Sequence, residues 1–305
     1  MNRVEAAAIG HDRRAVKAAL VSGGVDLAAF ATATTGWHLL RYFVTCYAAV
    51  AVGAYALIEW GLLAGVLVWG VAQHAILNVV HEASHYSLSR RRKLNDFIGD
   101  ILFAVPIGLT VQRYRVVHEL HHKQLATDGD PSGYLIDPAV TNQQMLKSLL
   151  FLLAGRSVFD LIAGLRHPKN KKDATAIADR ARLLMLIGFH VPLFCLLLHF
   201  GYWQMHAVWI LTAATFAPFL DGIRTIAEHR FGDEHDGHTR SHHTNPVVSA
   251  IFAPFFQYHW EHHLFPTIPH CKLARFHREL IELDIAPARP VRGGFFGALL
   301  TGIRR

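Results

Sequence analysis

Two long stretches of the chain carry no lysine or arginine. They run over Tyr42–Val80 and Leu183–Ile223. A membrane-spanning helix needs about 20 mostly apolar residues, so each stretch is long enough for two such helices. We place the first turn at Glu59–Gly61 and the second at Gly201–Gln204, whose aromatic side chains suit a membrane interface. The sequence therefore predicts four transmembrane helices arranged as two hairpins.

The basic residues occupy the three regions outside these stretches. Of 30 Lys and Arg, five precede Tyr42, 15 lie between His81 and Arg182, and ten follow Ile223. Because positive charge accumulates on the cytoplasmic side of a membrane, we expect both termini and the middle segment in the cytoplasm of a bacterial inner-membrane protein. Only 17% of residues are charged, against about 25% in soluble domains. The net charge of +7 is explained by this topology, and we expect no nucleic-acid partner.

No linker or internal repeat divides the chain, so we expect one domain over residues 1–305. Residues 1–36 would form a cytoplasmic N-terminal segment and 281–305 a C-terminal tail. Three shorter apolar stretches are predicted to be helices at the membrane interface: Phe97–Val111, Met145–Leu165 and Val247–Tyr258. The predicted fold is an all-α integral membrane protein with a cytoplasmic, histidine-rich helical cap.

Histidine is the unusual residue, with 22 copies. Three clusters follow apolar segments and would meet at the cytoplasmic face. One has the form H-x-x-x-H and two have the form H-x-x-H-H, so each presents its rings on one side of a helix. The clusters comprise His81 and His85; His118, His121 and His122; and His259, His262 and His263. Their convergence predicts a joint metal site.

The first cluster alone also fits the H-E-x-x-H pattern of a zinc metalloprotease, with Glu82 as the general base. A catalytic zinc takes three protein ligands and a water, which leaves most of these histidines unexplained. Two metal ions sharing eight or nine imidazoles use all three clusters. Imidazole suits iron, copper and zinc, and two irons open to O2 suit the oxidation of a lipid-soluble molecule.

Several neighbouring residues are candidates to complete or support this site. His229 lies about two turns beyond the fourth predicted span and is a further candidate ligand. His74 and Asn78 share a helix face with His81 and are expected to line a pocket or support the ligands. Four acidic residues stand next to candidate ligands and could orient a ring through its free N–H: Glu82, Glu119, Glu228 and Glu261. The remaining histidines are expected to have no role in the site; for His242 and His243, in a polar loop, we expect substantial activity to survive substitution.

The order of the three clusters, with paired apolar spans before the first and third, resembles the membrane fatty acid desaturase superfamily. The resemblance extends from about Trp37 to Leu280 and includes Asn95, Gly99, Asp130-Pro131 and the E-H-H-L-F-P-x-x-P segment from Glu261. In that family the box histidines bind a non-haem di-iron centre. The resemblance thus implies eight ligands, and His229 resembles an extra histidine of related alkane hydroxylases; the eight are His81, His85, His118, His121, His122, His259, His262 and His263. Asp130 joins the residues expected to support them.

This resemblance implies an O2-dependent acyl-lipid desaturase with no catalytic residue apart from the metal ligands. Because the chain has no H-P-G-G haem motif, two electrons would come from a separate ferredoxin, rubredoxin or cytochrome-type donor. A hydroxylase or ketolase acting on a fatty acid, alkane, carotenoid or small amphiphile is the close alternative. A membrane zinc hydrolase using His81, Glu82 and His85, or a metal-handling protein without enzymatic activity, are the alternatives of other classes.

Overall fold

The computed structural model describes residues 12–156, 158–159, 174–232, 238–285 and 294–303, and every regular element in these ranges is helical. The first half contains α1 (Arg13–Ser22), α2 (Leu27–Phe30), α3 (Gly36–Trp60), α4 (Leu62–Ser84), α5 (Arg92–Gly99), α6 (Val111–Gln124), α7 (Gly133–Ile136) and α8 (Asn142–Leu153). The second half contains α9 (Ala174–His199), α10 (Trp203–Ala214), α11 (Phe216–His229), α12 (Pro246–Phe252), α13 (His259–Leu264), α14 (His270–Glu282) and α15 (Gly294–Ile303). The predicted all-α class is confirmed.

Three segments of the described chain are long and apolar enough to cross a membrane: α3, α4 and the stretch Trp203–His229, which contains α10 and α11. A sharply bent pair, Arg92–Ile107 with Val111–Gln124, would make a fourth. The described apolar part of α9, Leu183–His199, is shorter than these segments. The sequence prediction of a membrane protein thus agrees with the structure, whereas the arrangement of four spans as two hairpins stays a prediction.

Helices α3 and α4 pack against each other and are joined at Gly61, whose φ of 86° permits the reversal that glycine tolerates best. In the most apolar window of α4, 61% of residues are buried, against 17% in α3. The outer face of α3 is exposed and carries apolar side chains such as Val44, Val52 and Ile58. Helix α4, which carries the first histidine cluster, is therefore the central helix, and α3 shields one side of it.

The second apolar stretch contains two breaks, of which the sequence predicted one. Gly201, with φ 78°, separates α9 from α10 at the predicted turn. A second interruption falls at Thr215, between α10 and α11. Pro218 has no amide hydrogen for the usual bond to the residue four positions earlier, which explains a break at this point. Composition alone did not reveal it.

Between α5 and α6 the chain passes through a π-helical turn (Asp100–Ala104) and a 3-10 turn (Val105–Ile107), then bends by 89° near Gly108. Asn95 holds the start of this unit against the end of α4, since its amide donates to Ala83 O at 2.8 Å and accepts from Leu88 N at 3.0 Å. A Cβ on Gly99 would come within 2.9 Å of the Ala83 Cβ, so only glycine fits this close approach. These contacts fix α5 and α6 relative to the first histidine cluster.

The other two predicted interfacial helices are shorter than expected. The segment Val247–Tyr258 is helical only as far as Phe252. Helix α8 begins before the predicted segment Met145–Leu165, at Asn142, where Thr141 and Gln144 form a capping box, and it ends at Leu153. Residues 160–165 of that segment, residues 1–11 of the N-terminal segment, and 286–293 and 304–305 of the tail lie outside the described ranges.

A separate apolar cluster surrounds the third histidine cluster. Val16 and Leu20 of α1 and Phe30 of α2 pack with Trp260 of α13 and Phe276 of α14. Burial of side chains of this size contributes about 1.5–3 kcal/mol each. The N-terminal helices therefore stabilise the position of α13, which carries His259, His262 and His263.

The distribution of positive charge leads to a topology prediction. Reporter fusions after Arg90, after Lys172 and at Arg305 are expected to read as cytoplasmic, because the basic residues flank the apolar stretches on one side only. Paired phosphatase and fluorescent-protein fusions in bacterial cells measure this directly. A periplasmic result after Lys172 would mean that the bent α5–α6 segment crosses the membrane completely.

Candidate metal centre

The three histidine clusters converge on one buried location. Helix α4 supplies His81 and is followed directly by His85, α6 supplies His118 and His122, and α13 supplies His262. One nitrogen from each of these rings lies within 4.8 Å of the others. We call these five residues group A. The spacing of each cluster explains the result, because residues three or four apart on a helix project from the same side.

A second group forms beside the first from the remaining candidate ligands. His121, His229 and His263 have nitrogens within 4.8 Å of one another, and His229 also forms such a set with His259 and Glu228. We call His121, His229, His259 and His263 group B. The two groups adjoin, since the His122 and His263 rings stack with centroids 4.2 Å apart. All nine histidines that the sequence indicated are thus brought together, four from α6 and α11 and five from α4 and α13.

The distances between ring nitrogens fit bound cations. His122 Nε2 lies 3.0 Å from His118 Nε2 and 3.2 Å from His262 Nε2. In group B, His229 Nε2 lies 2.7 Å from His259 Nε2 and 3.3 Å from His121 Nε2. Two imidazole nitrogens bound side by side to one metal ion, each about 2.1 Å away, are about 3 Å apart. Lone pairs at this separation repel unless a proton or cation lies between them.

The protonation state of the third cluster also suits metal binding. Burial lowers the pKa of His259, His262 and His263 well below the usual histidine value, and neighbouring rings lower it further. The rings are therefore neutral at physiological pH, the form in which imidazole binds a metal. Buried Nε2 atoms of His81, His85 and His263 have no hydrogen-bond partner among the described residues, so these atoms are free for ligation.

Two carboxylates contact rings of group B at the nitrogen that faces away from the group. Asp130 Oδ1 lies 2.9 Å from His121 Nδ1, and Glu228 Oε2 lies 3.4 Å from His259 Nδ1. His229 Nδ1 lies 3.2 Å from the carbonyl oxygen of His238. Each contact uses the nitrogen that faces away from the group, and the hydrogen bonds of His121 and His229 fix the ring and its tautomer. The structure thus places Asp130 and Glu228 where they can support the rings, as the sequence suggested.

Glu82 and Glu261 contact histidines that the sequence analysis left as background. Glu82 accepts from the backbone N–H of His270 at 3.1 Å and from the Thr34 hydroxyl at 3.2 Å. The His270 ring, through Nε2, lies 3.1 Å from both Glu82 Oε2 and His81 Nδ1. Glu261 contacts His277 Nδ1 and accepts from the Ser241 hydroxyl. Glu82 therefore reaches a group A ring through His270 and not directly.

The other predicted supporting residues have different outcomes. For Glu119 the expectation was wrong: its side chain is 51% exposed and pairs with Lys123 at 3.7 Å, since it lies on the outer side of α6. Asn78 accepts from Arg224, whose Nε lies 3.6 Å from Glu228 Oε2. His74 is fully buried, and its Nδ1 lies 3.2 Å from the Ile251 carbonyl oxygen. Asn78 thus supports group B through two intermediates, while His74 contacts no ring of either group.

Sequence reasoning missed three buried histidines beside the groups. His270 and His277 lie on α14, whose packing against α13 the sequence did not reveal, and His242 is fully buried with Nε2 3.6 Å from Glu228 Oε1. The one available signal was the position of His270 directly after the L-F-P-x-x-P segment. No helical periodicity links these residues to the clusters.

Substitution of His270 tests whether the residues that contact the candidate ligands support the site. His270→Ala is expected to lower turnover about 10–100-fold, because it removes the ring that links Glu82 to His81. Bound metal should fall less than with a substituted ligand, and His270→Gln, which keeps a side-chain hydrogen-bonding group, should recover part of the loss. Metal analysis and product quantification on the same preparations measure both effects. Complete loss of bound metal in His270→Ala would instead identify His270 as a ligand.

Residues 56–292 match the family model described as fatty acid desaturase. The chain is 27% identical to dihydrorhizobitoxine desaturase from Bradyrhizobium elkanii over 252 residues, which cover 75% of this chain and 71% of that protein. It is 24% identical to the sn-1 oleoyl-lipid 12-desaturase of Synechocystis over 77% of this chain and 73% of the relative.

A third relative is the rat (Rattus norvegicus) sphingolipid delta(4)-desaturase/C4-monooxygenase, which is 26% identical over 70% of this chain and 64% of its own length. The family match covers more than three quarters of the sequence and includes all three histidine clusters. With its helical fold and its converging histidines, the chain belongs to the fatty acid desaturase family.

Proposed function

We propose that this protein is an O2-dependent membrane desaturase that introduces a C=C bond into the alkyl chain of a lipid. The observation that carries the proposal is the convergence of nine histidines from four helices into two adjoining buried groups. Family membership supports the reaction class, and the names of the bacterial relatives support an acyl-lipid or small amphiphilic substrate.

Two irons are the metals we propose for these groups. Group A would hold one through His81, His85, His118, His122 and His262, and group B the other through His121, His229, His259 and His263. Bound iron would supply the activation of O2 and the removal of hydrogen from an unactivated C–H bond. The two electrons that complete the reaction would come from a separate ferredoxin, rubredoxin or cytochrome-type donor.

The protein's own residues orient the ligands and exclude water. Asp130 and Glu228 fix two group B rings by contacts at 2.9 and 3.4 Å, and His270 contacts His81 in group A. Burial of His81, His259 and His262, each at most 3% exposed, limits the access of water. A reactive centre that is closed to water reacts with the alkyl chain positioned beside it and not with solvent.

The position of Glu82 favours this proposal over a zinc hydrolase. A hydrolytic base must face a metal-bound water, but the Glu82 carboxylate accepts from His270 N and Thr34 Oγ1 and is only 2% exposed. Both contacts turn it toward α14 and the segment between α2 and α3, away from the centre of group A. A single zinc would also leave group B without a role.

Hydroxylation is the second candidate function. It is favoured by the name of the rat relative, which combines desaturase and monooxygenase activities. Both reactions begin with the removal of hydrogen from a C–H bond, so the same ligand arrangement serves either. The product alone distinguishes the two.

Lipid analysis of a bacterial host with and without the expressed protein tests the proposal. Desaturation removes two hydrogens and gives a product about 2 mass units lighter than the substrate. Hydroxylation adds one oxygen and gives a product about 16 mass units heavier. Conversion should require air and cease under argon. Conversion that continues under argon would contradict both candidate functions.

A further inference from the structure

A cavity of about 230 Å³ lies between α4, α9, α10 and α11. Gln73 and Leu77 from α4 line it, together with Ile107 and Leu109 from the turn before α6. Residues 73, 77 and 81 follow an i, i+4, i+8 pattern, so they share the same side of α4. At 1.5 Å per residue, the cavity-lining positions lie about 6 and 12 Å along the helix from His81. The cavity therefore adjoins α4, which carries His81, and the turn that leads into α6.

Its walls are mainly apolar, with side chains such as Leu186, Ile210 and Pro218. Two polar side chains, Gln73 and His190, interrupt this surface. Polar groups among membrane-spanning helices are costly unless they have a partner, and they commonly mark binding sites. The hydrogen bonds of these two side chains show which kind of partner would fit.

Gln73 offers an acceptor to the cavity. Its amide nitrogen donates to Trp209 O at 2.9 Å, and a carbonyl oxygen can only accept, so the orientation of the amide is determined. The Gln73 Oε1 atom therefore faces away from Trp209. It has no hydrogen-bond partner in the part of the chain that the structure describes, although the residue is completely buried.

His190 offers a second acceptor by the same reasoning. Its Nε2 lies 2.9 Å from Val105 O, which can only accept, so the proton of the neutral ring is on Nε2. The lone pair is then on Nδ1, which is buried and has no partner among the described residues. Gln73 Oε1 and His190 Nδ1 are thus two buried acceptors without a partner among the described residues, and both belong to side chains that line the cavity.

We propose that this cavity binds the part of an alkyl substrate remote from the reacting carbon and selects a chain that carries a hydrogen-bond donor, a hydroxyl or amide N–H group. Such a group donates to Gln73 Oε1 or His190 Nδ1, while the apolar walls contact the methylenes around it. The identity of the bound chain as substrate rests on the proposed desaturase function, but binding itself does not require turnover.

Binding of matched probes to the full-length protein in detergent tests this proposal. The probes are octadecanoic acid and its 12-hydroxy and 18-hydroxy derivatives, and their affinities are measured by thermal shift. We expect at least one hydroxylated acid to bind about tenfold more tightly than octadecanoic acid, because one net hydrogen bond is gained. Gln73→Leu and His190→Phe should each reduce this preference and retain the affinity for octadecanoic acid.

Leu186→Met is the matched control, since it changes an apolar wall residue and should keep the preference. Because Gln73→Leu and His190→Phe are tested separately, the proposal can still be tested if one of the two variants fails to fold. Equal affinities of the wild type for the hydroxylated acids and octadecanoic acid would overturn the proposal, as would a preference that survives both substitutions. The two acceptors would then bind only an ordered water. A preference found in a protein without O2-dependent conversion would keep the cavity assignment and refute the desaturase function, so the two failures are distinguishable.

Discussion

His262→Ala is expected to abolish turnover and to lower bound iron from about two ions per chain to about one. The His262 ring lies among those of His81, His85 and His122, with centroid distances of 4.5, 4.8 and 5.0 Å. Because it is the only group A ring from α13, its loss removes the link between the third cluster and the first two. Iron analysis of the purified protein and product quantification in membranes measure the two effects.

His199→Ala is the matched control. His199 is an exposed histidine at the end of α9, so its removal changes the histidine count without touching either group. The variant should keep both iron and turnover. Retention of two irons and normal turnover in His262→Ala would show that the ligand set is wrong.

Glu82→Gln is expected to lower turnover about 10–100-fold and to leave most of the bound iron in place. The Glu82 carboxylate accepts from His270 N, and its Oε2 lies 3.1 Å from the His270 ring. Glutamine keeps the size and one acceptor oxygen but replaces the other oxygen by an amide nitrogen, which alters the contact with the His270 ring. The effect of the substitution reaches His81 only through His270, so we expect a partial loss of turnover.

A zinc hydrolase predicts a different result for the same substitution. There Glu82 is the base, so Glu82→Gln would be completely inactive, the protein would bind one zinc, and argon would not affect activity. Metal analysis followed by assays under air and under argon distinguishes the two functions. One zinc per chain with activity unchanged under argon would refute the iron-dependent reaction.

The sequence predicted which histidines converge, because their spacing follows helix geometry. Pairs such as His118 and His122 must share a side of any helix that contains them, and apolar stretches determine where such helices lie. Contacts between helices do not follow from local spacing. The sequence therefore missed His270, which α14 brings to Glu82, and wrongly assigned Glu119, which lies on the outer side of α6. The break at Thr215 was also missed, because an apolar stretch shows its length but not its kinks.

The distance along the chain between the parts of group A constrains how the protein matures. The His81 and His262 rings of group A, with centroids 4.5 Å apart, come from α4 and α13, and α13 contributes rings to both groups near the end of the sequence. Helices α3 and α4 leave the ribosome long before α13 exists, and domains are made from the N-terminus onward. Membrane insertion of the early helices thus precedes completion of either ion site. Under the proposed function, metal loading is therefore a late step that follows synthesis of the last third of the chain, and a protein truncated before α13 would insert but remain without a complete site.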